Sequence, residues 1–223
     1  SEIVLEPGDV IVITQKIVSK AENRYVDLEK VIPSEYARCL ADEVEKDPRL
    51  VEVILSESTD VVRKSTGILV TEHRLGFVLA NAGVDSSNID QSEGHSSVLL
   101  LPTDPDKICG EIRNRIETET GVCVGIIIND SHGRAWRNGT VGAALGSAGL
   151  PALLDLRGRP DIFGTDLKIT QIGLADEIAA AASVLMGQGD EMRPVVHVRG
   201  VPYPLSTGKA SDLLRNKQED LFR

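Results

Sequence analysis

Apolar residues gather along this chain in two alternating ways: short continuous runs, and runs spaced three or four apart between polar residues. Residues 10–14 (VIVIT), behind the turn pair Gly8-Asp9, are a run of the first kind and predict a buried strand. Behind Pro33, residues 34–46 set Tyr36, Leu40 and Val44 four apart, which predicts an amphipathic helix capped by Ser34. A second short helix is predicted over 48–55, with Pro48 suited to its first turn. Residues 68–72 and 77–80 are strand-like on either side of His73-Arg74-Leu75-Gly76 and read as a hairpin.

The stretch 83–97 is polar and without period, holds several aspartates, and lies between two strand candidates, so a functional loop is expected there. A strand over 98–101 follows, then a charged helix over 104–119 that opens at Asp104-Pro105 and ends at Gly121, then a strand over 124–128. Residues 139–150 (GTVGAALGSAGL) are too rich in glycine for a surface helix and predict close backbone packing. Residues 167–174 are strand-like, 175–186 (ADEIAAAASVLM) form a helix by propensity, and 194–199 give a last strand. Hairpins mixed with helices, and no internal repeat, predict an α+β fold with mixed and antiparallel sheets rather than a doubly wound one.

At 223 residues the chain is one large domain or two smaller lobes, long enough to bury roughly 70% of its unfolded surface. Aromatic residues make up only 3%, so the core is aliphatic and stacking platforms for single-stranded nucleic acid are not expected. A net charge of −10 also argues against a nucleic-acid partner, because such binding needs clustered Lys and Arg. It leaves room for a small anionic substrate bound through a metal. Cys39, Cys109 and Cys123 are odd in number and fit neither a disulfide framework nor a zinc pattern, which points to a reducing compartment. No apolar run approaches the ~20 residues of a membrane span, and the first residues do not read as a signal peptide. A soluble cytoplasmic protein is expected.

Common nucleotide signatures fail. STGKAS (206–211) lacks the first glycine of a phosphate-binding loop, Tyr203 standing in its place, and Ala210 follows Lys209 where Ser or Thr is required. MGQGD (186–190) contains a GxG but ends a helix instead of opening one. It reads either as a glycine cap or as a flexible backbone able to approach phosphate, with Gln188 offering an oxygen. In GIIINDSHGRAWRNGT (125–140), Asp130-Ser131-His132 has no nucleophile elbow, because Asn129 stands where its first glycine belongs. Asp130, expected at the end of a buried strand, is placed either to ligate a hard cation or to cap the next turn. NAGVDSSN (81–88) offers Asp85, Ser86, Ser87 and Asn88, enough for one or two ligands to a cation, or for an Asx-type turn. Lys16, Lys20, Arg63, Arg74, Arg134 and Arg137 recur beside these corners in an acidic chain and suggest anion recognition.

Taken in order, GDVIVITQKIVSKAE (8–22), HRLGFVLANAGVDSSN (73–88), LLLPTDPD (99–106), IIINDSHGRAWRNGTVGAALG (126–146), LRGRPDIFG (156–164) and LADEIAAAASVLMGQGDE (174–191) resemble the coenzyme F420-0:γ-glutamyl ligase family across nearly the whole chain. The resemblance implies a GTP-dependent ligase that joins L-glutamate to F420-0, and a further glutamate through its γ-carboxylate, releasing GDP and phosphate. It implies Mg²⁺ or Mn²⁺, an uncommon α+β fold and an intertwined homodimer. Carried over by residue, it assigns metal ligation to Asp85, Asp130, Ser131 and Gln188. Guanine-nucleotide contact falls to Gln15, Lys20, Asn88 and the loop of Met186, Gly187, Gln188, Gly189 and Asp190.

Three departures stand out. Gln188 replaces an acidic residue found in some members, which implies weaker metal binding, and Gln15 replaces a serine. The chain begins close to the GDVIVIT strand, whereas relatives carry a further strand and a GLP-type turn; without that segment, weaker GTP binding or altered nucleotide choice is expected. The same acidic corner would also serve a metal-dependent phosphoesterase, or a nucleotide-binding homologue without catalysis.

Overall fold

The computed structural model describes residues 3–89, 96–204 and 206–221. In chain order its elements are β1 (Val10–Thr14), α1 (Gln15–Ala21), β2 (Tyr25–Asp27), α2 (Glu35–Val44), α3 (Pro48–Ser56) and β3 (Ser58–Ser65). Then come β4 (Ile68–His73), β5 (Val78–Ala80), β6 (Ser97–Leu99), α4 (Pro105–Thr120) and β7 (Gly125–Arg134). The chain closes with β8 (Arg137–Ala148), β9 (Leu154–Asp155), β10 (Gln171–Ile172), α5 (Leu174–Met186) and β11 (Val195–Val198). The class is α+β, with mixed and antiparallel sheets beside helices. No helix among the described residues is long and apolar enough to cross a membrane.

The described residues form two compact units, each assembled from separate stretches of chain. The first comprises Ser1–Thr14, Asp104–Ser131 and Thr140–Arg215. Its main sheet has the order β11-β1-β7-β8. β1 pairs antiparallel with β11 and parallel with β7, Val10 facing Gly125 and Thr14 facing Asn129. An interior strand covered on its face needs a near-continuous apolar run, and VIVIT is one. Against Val10, Val12, Ile127 and Val196 lies α5, through Leu174, Ile178, Met186 and the alanines 175, 179 and 182. Each large aliphatic side chain withdrawn from water here contributes about 1.5 to 3 kcal/mol.

Alanine and glycine let these layers meet closely. A Cβ on Gly142 would lie 2.4 Å from the carbonyl oxygen of Ala179, and one on Gly146 2.5 Å from that of Pro105. The close packing expected for residues 139–150 is therefore present, but it belongs to a strand, β8. Asn129 Nδ2 donates to Ala179 O (3.3 Å) and Ser183 Oγ (3.0 Å), and Ala144 N donates to Asp176 Oδ1 (2.8 Å). The strand expected over 167–174 shortens to the two residues of β10, paired with β9.

The second unit comprises Gln15–Thr103, His132–Gly139 and Asn216–Arg223. Helix α2 begins at the expected cap, Ser34 Oγ accepting from Ala37 N, and α3 begins with the expected Pro48 in its first turn, behind an Asp47 cap that accepts from Arg49 N. Leu40, Ala41, Val44, Val51 and Ile54 from these helices pack with Leu69 of β4 and with Ala82. β4 and β5 form the expected hairpin, and β3, which no sequence pattern announces, pairs with β4 on its other side. β2 and β6 make a separate antiparallel ladder.

Candidate functional site

Asp85 rests on a fixed piece of backbone. Its N–H donates to Leu99 O (3.1 Å) and its carbonyl accepts from Leu99 N (2.8 Å), so it extends the β2–β6 ladder, in which Leu99 faces Tyr25. The carboxylate is fully engaged. Oδ1 accepts from Ser87 N at 2.8 Å, the Asx turn that the sequence allowed, and Oδ2 accepts from Ser87 Oγ at 2.7 Å. Lys16 Nζ donates to the same Oδ2 at 2.7 Å, and also to Ser87 Oγ (2.7 Å) and Ser87 O (3.2 Å). Burial pushes the Asp85 carboxyl up, but the Lys16 ammonium and the two Ser87 hydrogen bonds outweigh it and hold it below its ordinary value. Asp85 is thus an ionised oxygen donor.

One turn further along α1, Lys20 Nζ donates to Asn88 O at 2.7 Å. Asn88 adopts the left-handed conformation (φ 54°), which asparagine tolerates better than most residues. Lys16 and Lys20 therefore hold the 85–88 corner from one face of a single helix. Gln15 opens that helix; it is buried, and its Oε1 accepts from Ser19 Oγ at 2.9 Å.

Asp130 corrects an expectation. It neither ends the isoleucine strand nor caps a turn, because β7 runs on through Asp130 and Ser131 to Arg134, and the chain turns only at Ala135 and Trp136. Pairing with β8 sustains the strand past its apolar residues, a nonlocal cause that no local pattern reveals. Along a strand successive residues alternate between its two faces, so Asp130 and Ser131 hold positions on opposite faces of β7. His132 sets its ring edge-on to Phe77, with centroids 6.3 Å apart.

At the end of α5 the glycine cap is realised. Gly187 takes φ 74° and donates to Ser183 O at 3.1 Å. Met186 is buried in the core of the first unit, whereas Gln188, Gly189 and Asp190 are exposed. The loop then does something further: Gly189 N donates to Glu191 Oε2 at 2.9 Å, and the Glu191 carboxylate lies across Gly187, where any Cβ would collide with it. Backbone N–H groups of Glu191, Gly189 and Gln188 hold this carboxyl below its ordinary value, with help from Arg193. Successive amides turned toward one anion form a nest suited to an oxyanion. Glu191 was given no role in the sequence; its only signal was a second acid, two residues after Gly189.

The remaining cations divide. Arg74 belongs to a charge cluster: its Nε lies 3.3 Å from Glu57 Oε2, which also accepts from Arg24 Nη2 (2.8 Å) and lies 3.3 Å from His73 Nε2. Leu75 N donates to His73 Nδ1, which leaves the ring proton on Nε2, facing Glu57. Burial pushes the Glu57 carboxyl up, yet His73, Arg24 and Arg74 bring it down to about 2. Arg63 donates to Val62 O and Arg134 to Gly139 O, both at the surface, and Arg137 is exposed. In STGKAS, Gly208 packs against the backbone of Ala152, and the amides of Ala210 and Ser211 donate to Asp106. That segment binds a carboxylate of its own chain. Among the described residues, no three His, Cys, Asp or Glu side chains group closely enough to hold a metal on their own.

Of the proposed metal ligands, Asp85 lies in the second unit, and Asp130, Ser131 and Gln188 in the first. Of the proposed nucleotide contacts, Gln15, Lys20 and Asn88 share the second unit, and residues 186–190 lie in the first. These features define an α+β protein with an ionised carboxylate corner at residues 85–88 and a glycine loop closed on Glu191. The chain belongs to the F420-0:Gamma-glutamyl ligase family, whose model matches residues 1–200. Among its relatives is the coenzyme F420:L-glutamate ligase of Methanocaldococcus jannaschii, 46% identical over 219 residues, covering 98% of this chain and 86% of the relative. The protein of the same name from Methanopyrus kandleri is 44% identical over 223 residues, covering 98% and 87%. That from Archaeoglobus fulgidus is 40% identical over 223 residues, covering 100% and 87%.

Proposed function

We propose that this protein is a GTP-dependent ligase that adds L-glutamate to coenzyme F420-0, and then a further γ-linked glutamate, in the cytoplasm and as an intertwined homodimer of the family's uncommon fold. The observation that carries the reading is family membership over nearly the full chain, with relatives named for ligation of L-glutamate to coenzyme F420.

A carboxylate is a poor acylating agent, so ligation requires activation. An oxygen of the F420-0 carboxylate attacks the γ-phosphorus of GTP, and GDP leaves. The glutamate amine then attacks the acyl carbon, phosphate leaves, and the nitrogen gives up its proton as the amide forms. Water has to be kept from the acyl phosphate while it lasts. Lys20 is suited to meet phosphate, being an ammonium on a rigid helix whose present acceptor is one backbone carbonyl. Asn88 and Gln15 lie on the same helix-and-loop corner, Asn88 held by Lys20 and Gln15 by its own helix. The loop 186–190 offers the amides now turned onto Glu191, a carboxylate in the position where a phosphate oxygen would be welcome.

The donors proposed for metal fit Mg²⁺ or Mn²⁺ in kind: all are oxygens, and the Asp85 carboxyl is kept ionised on backbone hydrogen-bonded to Leu99. Asp85 would hold metal in the second unit, and Asp130, Ser131 and Gln188 would do so in the first. When bound, the metal neutralises charge on the phosphate oxygens. Gln188, a neutral amide where some members carry an acid, lowers the affinity of its position.

Asp130→Ala is expected to abolish glutamate ligation while circular dichroism stays that of the parent. GTP consumption by the purified variant with F420-0 and glutamate present would show that the metal assignment is wrong.

A further inference from the structure

Around the Lys16 ammonium stand a carboxylate oxygen at 2.7 Å, a hydroxyl oxygen at 2.7 Å and a backbone carbonyl oxygen at 3.2 Å. A carboxylate, a hydroxyl and a carbonyl are the oxygen types that surround a hard divalent cation. Lysine is usually a solvated surface charge, but this side chain is only 19% exposed and makes all three contacts with residues 85 and 87. The corner beneath it is built. Asp85 is tied to Leu99 by two backbone hydrogen bonds, and Ser87 is folded back onto Asp85 by two more. Both the ammonium and a divalent cation would draw on Asp85 Oδ2, which already accepts from Ser87 Oγ, and two positive charges brought to contact on one oxygen repel each other.

We propose that Lys16 is a resident competitor for the divalent cation at Asp85: its ammonium fills the cation position in the absence of metal and has to withdraw before metal binds. This rests on Asp85 being a metal ligand. Lys16 then sets how tightly the corner takes metal, keeps the carboxylate paired when metal is absent, and is released toward an anionic ligand when metal arrives.

The test is Mn²⁺ binding to the full chain without nucleotide, read from loss of the free-Mn²⁺ paramagnetic resonance signal. Removing a partly buried competing charge in Lys16→Met, or in Lys16→Gln as a second variant, is expected to tighten binding roughly five- to tenfold. Lys20→Met removes the same charge one helical turn away but leaves the Asp85 oxygens alone, and is expected to change affinity by no more than about twofold. Asp85→Asn is expected to weaken binding and to erase the gain when combined with Lys16→Met. If Asp85→Asn weakens binding but neither Lys16 variant tightens it, Lys16 is not a competitor, and Asp85 keeps its metal role. An equal gain in Lys20→Met assigns the effect to net charge and overturns the competition. If Asp85→Asn leaves binding unchanged, the metal assignment at Asp85 falls and the proposal falls with it.

Discussion

Glu57 is a carboxylate that folding withdraws almost wholly from water, with two arginines and a histidine at its oxygens. Its folded pKa of about 2 lies below the ordinary 4.5, so the ion pairs add stability that is complete above the ordinary value and is lost as pH falls toward the folded one. Glu57→Gln leaves Arg24 and Arg74 without their buried counter-charge and is expected to cost about 3 kcal/mol near neutral pH. Urea unfolding should show the gap between parent and variant narrowing as pH falls from about 4.5 to about 2, because the parent's carboxylate protonates in the unfolded chain before it does in the folded one. A gap that stays constant with pH would mean that the charge is not what stabilises the cluster. Asp9 is held below its ordinary value by Arg199, so part of the parent's acid sensitivity survives the substitution. Individual residues were legible in sequence to the extent that their partners are close along the chain. The turn of Ser87 onto Asp85 follows from a spacing of two, whereas Lys16 reaches Asp85 across 69 positions and Arg24 reaches Glu57 across 33. Arg74 looked like an anion-recognition residue because nothing in its neighbourhood names Glu57.

Helices were the most legible elements, since their signals are local: Ser34 and Asp104 cap α2 and α4, and Gly121 ends α4 in the left-handed region. Strands were legible only where burial wrote them in apolar residues. β3 (STDVVRKS) is mostly exposed and exists through its pairing with β4, with irregular register, and the second half of β7 is a strand because β8 lies beside it. Two glycine substitutions separate packing from propensity. Gly146→Ala sets a methyl against the Pro105 backbone, which has no flexible end to move aside, and is expected to cost about 2 kcal/mol. Gly110 lies inside α4 with open space where its Cβ would be, so Gly110→Ala should stabilise by roughly 0.5 to 1 kcal/mol. Thermal midpoints of the two variants should therefore move in opposite directions; movement the same way would contradict the assignment of close packing to β8.

Both compact units take their residues from stretches distant in sequence, and the parallel pairing of β1 with β7 joins positions 10–14 to 125–129. No hydrophobic period carries that information, which is why the class could be read from the sequence and the topology could not. The motifs survive this rearrangement because each is short: residues 186–191 close on their own Glu191, whereas the turn of Ser87 onto Asp85 is local but is completed by Lys16 from far along the chain. A cation resting on proposed metal oxygens and a carboxylate resting in a proposed phosphate nest give the central claim its physical support. The direct test is mass spectrometry of products after the protein is incubated with GTP, Mn²⁺, L-glutamate and F420-0. The account predicts F420-0 extended by glutamyl residues, with one GDP and one phosphate formed per residue added. Phosphate released at the same rate without glutamate, and no glutamyl product, would contradict it and favour a metal-dependent phosphoesterase.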